Sequence, residues 1–233
     1  MIPIFVIVFN RLTTTRQLCE QIARLDDAIP IIIDNASDYE PLLDWYSECS
    51  CEVIRLRENL GHHSPWLSGV VEQENAPVYG VTDCDLDLDG IPADALRVLQ
   101  EPFGWSRPVI KSGFSLRIDD LPPWQSSVRD WESRWWKRTT PDGKFYHAAI
   151  DTTFALYSLG TNHKHCMSVA NVFAVRSAPP YTARHIPWYL DGDKLDEENA
   201  NYFATANASN SWRPNGRSLA APYLGRSHAP RRV

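Results

Sequence analysis

With 233 residues, 43% of them hydrophobic and 22% charged, the chain carries enough apolar material for one globular α/β domain and is far from the composition of a disordered segment. A formal charge of −6 excludes a general nucleic-acid binder, which concentrates positive charge against phosphates, so no nucleic-acid partner is expected. Five cysteines, Cys19, Cys49, Cys51, Cys84 and Cys166, form no CxxC pair and no even disulfide framework, which predicts a reducing, cytoplasmic location.

In chain order, Ile2 to Phe9 is a near-continuous β-branched and aromatic run, the pattern of a strand buried on both faces of a parallel sheet and too short for a signal or membrane helix. Thr13 to Thr15 can open a helix in which Leu18, Ile22 and Leu25 recur at helical spacing, and Ile29 to Ile33 supplies a second buried strand. That is a βαβ unit. A polar turn, Asp34-Asn35-Ala36-Ser37, precedes a helix around Pro41 to Cys49, and Val53 to Leu56 reads as a third strand. After the loop Asn59-Leu60-Gly61-His62-His63, Leu67 to Glu74 is expected as helix and Val78 to Thr82 as a fourth strand.

Repeated strand–helix–strand units predict a doubly wound, mainly parallel sheet whose ligands sit outside the carboxyl ends of the strands, so Asn10, Asp34, Asn59 and Asp83 should share one rim. Further on, Val109 to Ile118, Ala148 to Tyr157 and Val169 to Val175 read as strands and Val128 to Trp136 as an amphipathic helix. One domain over 1–233 is expected: a nucleotide-binding half at 1–90, an irregular acceptor and catalytic half at 91–195, and a basic tail at 196–233. That tail, with Arg213, Arg217, Arg226, Arg231 and Arg232 and no acidic residue after Glu198, suits either a poorly ordered terminus or contact with the core, a membrane surface or an anionic acceptor.

The segment Val78-Tyr79-Gly80-Val81-Thr82-Asp83-Cys84-Asp85-Leu86-Asp87 places alternate carboxylates directly after an apolar strand, on one side if the chain stays extended. Hard divalent cations take such oxygen ligands together with diphosphate oxygens and water, so Mn²⁺ or Mg²⁺ is the expected cofactor. A solvated acidic loop or a calcium site is the alternative reading of the motif.

Over Ile2 to about Asp191 the chain resembles the GT-A glycosyltransferases, through IPIFVIVFNR, IIIDNAS, VIRLRENLGHHSPW, VTDCDLDLDGIP, KSGFSLRIDDLP, IDTTFALY and YTARHIPWYLD. The resemblance implies a Rossmann-like sandwich that moves a sugar from a UDP- or GDP-sugar to a glycan or other hydroxyl acceptor. It implies nucleotide contacts at Phe9, Asn10, Arg11, Asp34 and Asn59. His62 and His63, adjacent and so poorly placed to share one ion, suit either a nucleotide-loop role or simple exposure. The resemblance also implies a ribose or donor-sugar contact at Asp83, a metal ligand at Asp85 and a metal or diphosphate ligand at His185, for which a buried structural histidine between Arg184 and Trp188 is the alternative reading. Asp87 remains an alternative ligand because DCDLD holds two overlapping DxD patterns, and Arg184 could clamp phosphate.

An inverting transfer needs a base for the acceptor hydroxyl, and Asp151 is the first candidate, a turn-capping Asp being its alternative reading, with Asp119 and Asp120 competing; a retaining transfer needs none. Trp131 and Trp135 share a helical face and, with Trp136, Trp124, Trp188 and Trp212, serve either the core or a sugar platform. His163 and His165 read as a surface loop. A sugar-phosphate nucleotidyltransferase would carry a Gly-rich phosphate loop that the Phe9-Asn10-Arg11 turn lacks, and a non-catalytic sugar- or partner-binding module would leave the carboxylates without a metal.

Overall fold

The structure, a computed structural model, describes residues 1–206 except 159, 162 and 168–172. The seven residues IPIFVIV form β1 (Ile2–Val8), flanked in parallel by β2 (Ala28–Asp34) and β4 (Val78–Asp83), with β3 (Glu52–Arg55) parallel on the far side of β2. Alternation sorts β1 between two cores. Ile4, Val6 and Val8 pack with Leu18, Cys19 and Ile22 of α1 (Thr13–Ile22), while Phe5 and Ile7 join Ile31, Ile33, Trp66, Val70 and Val71 on the other face. A sheet covered on both faces requires the unbroken apolar runs that the sequence shows. On the first face lies α2 (Glu40–Tyr46); the second carries α3 (Ser64–Leu67) and α4 (Val70–Glu74). The expected single helix from Leu67 to Glu74 breaks at Gly69, whose φ of 79° is the left-handed conformation that glycine tolerates.

Beyond β4 come β5 (Leu86–Asp87), α5 (Ala95–Gln100), β6 (Lys111–Leu116), α6 (Ser126–Glu132), β7 (Phe145–His147), β8 (Ala155–Ser158), α7 (His163–Cys166), β9 (Ala174–His185) and α8 (Glu197–Thr205). The sheet runs β3-β2-β1-β4-β8-β6-β9-β5, with β7 on β9. It is mixed, correcting the expectation of a mainly parallel sheet: β8 is antiparallel to both β4 and β6, β9 is parallel to β6, and β5 and β7 are antiparallel to β9. The physical reason is that Ala155, Leu156 and Tyr157 are all buried, and such a run states burial on both faces without stating direction.

Only the last part of the strand expected at Ala148 to Tyr157 forms. Residues 148–154 are irregular, because Asp151 and Thr153 bond to each other locally in place of a ladder. The helix expected to reach Trp136 is α-helical only to Glu132 and finishes as a 3₁₀ turn, Ser133–Trp136. Of the strand expected at Val169 to Val175, residues 169–172 lie outside the described residues, as do Trp212 and the basic tail from residue 207 onward, whereas its first residues, 196–206, are described and contain α8. All five cysteines are free, and among the described residues no helix is long and apolar enough to cross a membrane.

Candidate functional site

Register aligns the strand ends: Val8 stands opposite Asp34 and Ile7 opposite Asp83, so the carboxyl ends of β1, β2 and β4 make one edge. Asn59 falls four positions beyond the last residue of β3; it is exposed and its side-chain oxygen accepts from the Gly61 N–H at 2.8 Å. The β1–β2 side of this edge is built inward. Asn10, fully buried with φ 49°, accepts from the N–H groups of Asp38 (2.9 Å) and Tyr39 (3.1 Å) and donates to Asp38 Oδ1 (2.7 Å). Asp34 is equally buried and accepts from Arg55 Nε (3.0 Å), Tyr46 Oη (3.3 Å) and the Ser37 N–H (3.3 Å). These two side chains shape the β2–α2 loop, while Phe9 remains half-buried beside them.

Arg11 is 2% exposed, and its guanidinium lies 3.7 Å from the Tyr202 ring of α8, with Nε lacking a hydrogen-bond partner. The same helix sends the Glu198 carboxylate to the N–H (3.0 Å) and hydroxyl (2.7 Å) of Thr13, and Thr205 accepts from the Asn10 amide at 3.2 Å. Thus α8 lies against the β1–α1 turn.

The β4 side is different. After Asp83 the chain turns at Cys84-Asp85 instead of staying extended, so the three carboxylates do not share one side. Asp85 is buried; its carbonyl accepts from the Ile186 N–H, and the β5–β9 ladder sets Leu86 opposite His185. His185 Nε2 thereby stands 3.5 Å from Asp85 Oδ1. Neither Asp85 Oδ1 nor His185 Nδ1 has a hydrogen-bond partner, although both are buried. Burial, with a smaller push from Arg11, lowers the His185 pKa against the pull of Asp85 and Asp151, which favours the neutral, ligating imidazole.

Asp83 is half-buried and accepts from the Thr152 hydroxyl at 3.0 Å. Desolvation and the like charges of Asp85 and Asp151 hold its carboxyl well above the usual range. Asp151 is open to solvent on a wall otherwise dense with protein. Desolvation pushes it upward, but Arg176, the Thr153 N–H and hydroxyl, and His185 outweigh this and lower its pKa.

A buried carboxylate–imidazole pair with partnerless atoms, next to the carboxylates of Asp83 and Asp151, fits a divalent cation. Among the described residues no group of three or more His, Cys, Asp or Glu forms a complete cage, so the protein ligands would be Asp85 and His185 and the remaining positions would fall to substrate oxygens and water.

Four expected residues lie elsewhere. Strand alternation turns Arg184 away from His185, and its guanidinium bridges Asp120 Oδ2 (2.7 Å) and Asp87 Oδ2 (3.6 Å), so its charge is matched within the protein. Asp87 also accepts from Gln17 (3.1 Å) and Gln21 (2.6 Å) of α1, so its carboxylate, unlike that of Asp85, is held by protein donors. Asp120 further accepts from Tyr189 at 2.6 Å; although desolvation opposes it, Tyr189, Arg184 and Arg117 lower its pKa, a poor setting for a base. Asp119 is exposed in the same turn. His62 is half-buried in the 3₁₀ turn Gly61–His63, its pKa lowered chiefly by burial against the pull of Asp151.

Among the tryptophans, Trp188 is core, Trp124 is 50% exposed and Trp131 is covered by Arg134 at 3.9 Å. The sequence reading passed over Lys111, Arg176 and Glu132, buried charges behind Asp151, and Asn35, which ties the Leu60–Ser64 loop to β2. A lone Lys or Arg inside the apolar stretches around KSGFSL and FAVRSA was the available signal.

No family model matches the chain, and no curated protein matches it. Among solved structures it is similar to the crystal structure of GalNAc-T7 with UDP, GalNAc and Mn²⁺, at 15% identity, with a TM-score of 0.48 and coverage of 78% of this chain. The chain spans 43% of the length of that one. A likeness of this size bears on neither reaction nor residues.

Proposed function

We propose that the chain is a metal-dependent GT-A glycosyltransferase acting on a UDP- or GDP-sugar and a glycan or other hydroxyl acceptor. One observation carries this reading: buried Asp85 and His185 meet at the end of β4 with partnerless atoms, next to Asp83 and Asp151. Mn²⁺ suits a mixed oxygen and imidazole site, with Mg²⁺ the oxygen-seeking alternative. Bound there, the cation would stabilise negative charge growing on the departing diphosphate. Asp83, held by Thr152, borders the ribose and donor sugar, and Arg11 supplies positive charge beside the β1–α1 turn. In an inverting transfer the Asp151 carboxylate, kept ionised by Arg176 and Thr153, takes the proton of the acceptor hydroxyl.

Titration calorimetry with UDP- and GDP-sugars in Mn²⁺, repeated with EDTA, tests the reading. Binding that depends on the metal and disappears in Asp85→Ala supports it; nucleotide binding indifferent to both, or absent throughout, sinks it.

A further inference from the structure

Residues 148–154 have no regular secondary structure, yet the stretch around Asp151 is tied down at each step. Arg176 Nε donates to the Ala149 carbonyl at 2.7 Å and Lys111 Nζ to the Ile150 carbonyl at 3.0 Å. The Asp83 N–H donates to the Thr152 carbonyl at 3.0 Å, while the Thr153 N–H (3.1 Å) and hydroxyl (2.9 Å) donate to Asp151 Oδ1. Strand β6 passes directly beneath: a Cβ on Gly113 would meet the Phe154 carbonyl at 2.2 Å.

Lys111 is 1% and Arg176 4% exposed, and the far end of Arg176 pairs with buried Glu132. Two neutral donors could hold two carbonyls without the cost of burying charge. What cations add is a positive field behind a carboxylate that already faces negative charge. The charged and titratable groups around Asp151 are Arg176 and His185 from β9, Lys111 from β6, Glu132 from α6, Asp83 from the end of β4, His62, and Tyr157 from β8.

We propose that Lys111 and Arg176 are positioning residues for Asp151: two buried cations grip the carbonyls just before it, hold its carboxylate toward the cleft and offset its charge. Resting on the glycosyl-transfer reading, this assigns them to the acceptor half of the reaction and leaves donor binding to Asp83, Asp85 and His185.

The test uses the full chain with Mn²⁺ and UDP- or GDP-hexoses, following nucleotide release to water, calorimetric affinity for UDP and GDP, and amide hydrogen exchange over residues 149–153. Arg176→Met combined with Glu132→Leu removes both partners of the buried pair, so no charge is stranded, and Lys111→Met tests the other grip. Nucleotide release should fall about 100-fold, as misplacement of a reacting group by about 1 Å allows. Donor affinity should stay unchanged, Arg176→Lys should restore part of the rate, and exchange at Ile150 to Thr153 should quicken.

Full turnover with unchanged exchange overturns the proposal, as does a fall in turnover and donor affinity together. If the wild type binds no nucleotide, the glycosyl-transfer reading fails by itself. Hydrogen exchange then decides whether the cations hold the Asp151 segment: faster exchange at the Thr153 amide supports that, and unchanged exchange overturns it.

Discussion

At the ends of β1 and β2, Asn10, Asp34 and Asn35 are buried and their polar atoms bind the loops beside them. At the ends of β4 and β9, Asp85 and His185 are buried too, but keep atoms with no partner, and Asp83 and Asp151 next to them reach solvent. Both groups look alike in sequence, as polar residues where an apolar strand stops. A buried polar atom that is satisfied builds the structure, whereas one left unsatisfied in a polar cleft calls for a ligand.

The largest expected effect breaks this comparison directly. Asp85→Ala or His185→Ala should weaken Mn²⁺ affinity by more than the roughly 10–100-fold that loss of an outer partner of a metal ligand costs. In the metal-free protein His185→Ala also loses its edge contact with Trp188 and should lower the melting temperature, so metal affinity is compared at a temperature where each variant is folded. Asp87→Asn should leave metal affinity unchanged, because that carboxylate is held by Gln17, Gln21 and Arg184; calorimetry in which Asp87→Asn abolishes binding and Asp85→Ala does not would reverse the ligand assignment.

On the other side the pattern inverts. Asp34→Ala strands the Ser37 N–H, the Tyr46 hydroxyl and one face of Arg55, and should cost about 2 kcal/mol in urea unfolding, with metal affinity kept. Arg55 is half exposed, so the charge pair itself adds little to that figure.

A smaller effect is set by pH. Burial, against the pull of Arg176, raises the Glu132 pKa to about 7, above its unfolded value, so the native state binds the proton more tightly. Its contribution to stability is therefore complete below about pH 4.5 and is lost as pH climbs through about 7. Denaturant midpoints of the wild type should show this fall and those of Glu132→Gln should lack it. The smallest change is Tyr202→Ala, which removes the ring over Arg11 and should cost about 1 kcal/mol in thermal unfolding.

The β1–α1–β2 unit, the third and fourth strands and the acidic turn after the fourth were legible because local periodicity carries them. His185 was found only through resemblance, since nothing near TARHIPWYLD points to Asp85, one hundred residues earlier in the chain. Lys111, Arg176 and Glu132 were missed because their common neighbour, the irregular segment before β8, looked like a strand.

Sequence alone determined which stretches are buried on both faces and where carboxylates cluster at strand ends, because burial and turn chemistry are written into neighbouring residues. Tertiary structure decided the antiparallel entry of β8, the turn that parts Asp85 from Asp87, and the alternation along β9 that sends Arg184 to Asp120 and His185 to Asp85. Each depends on which distant strand pairs and in what register, and no local pattern encodes that choice.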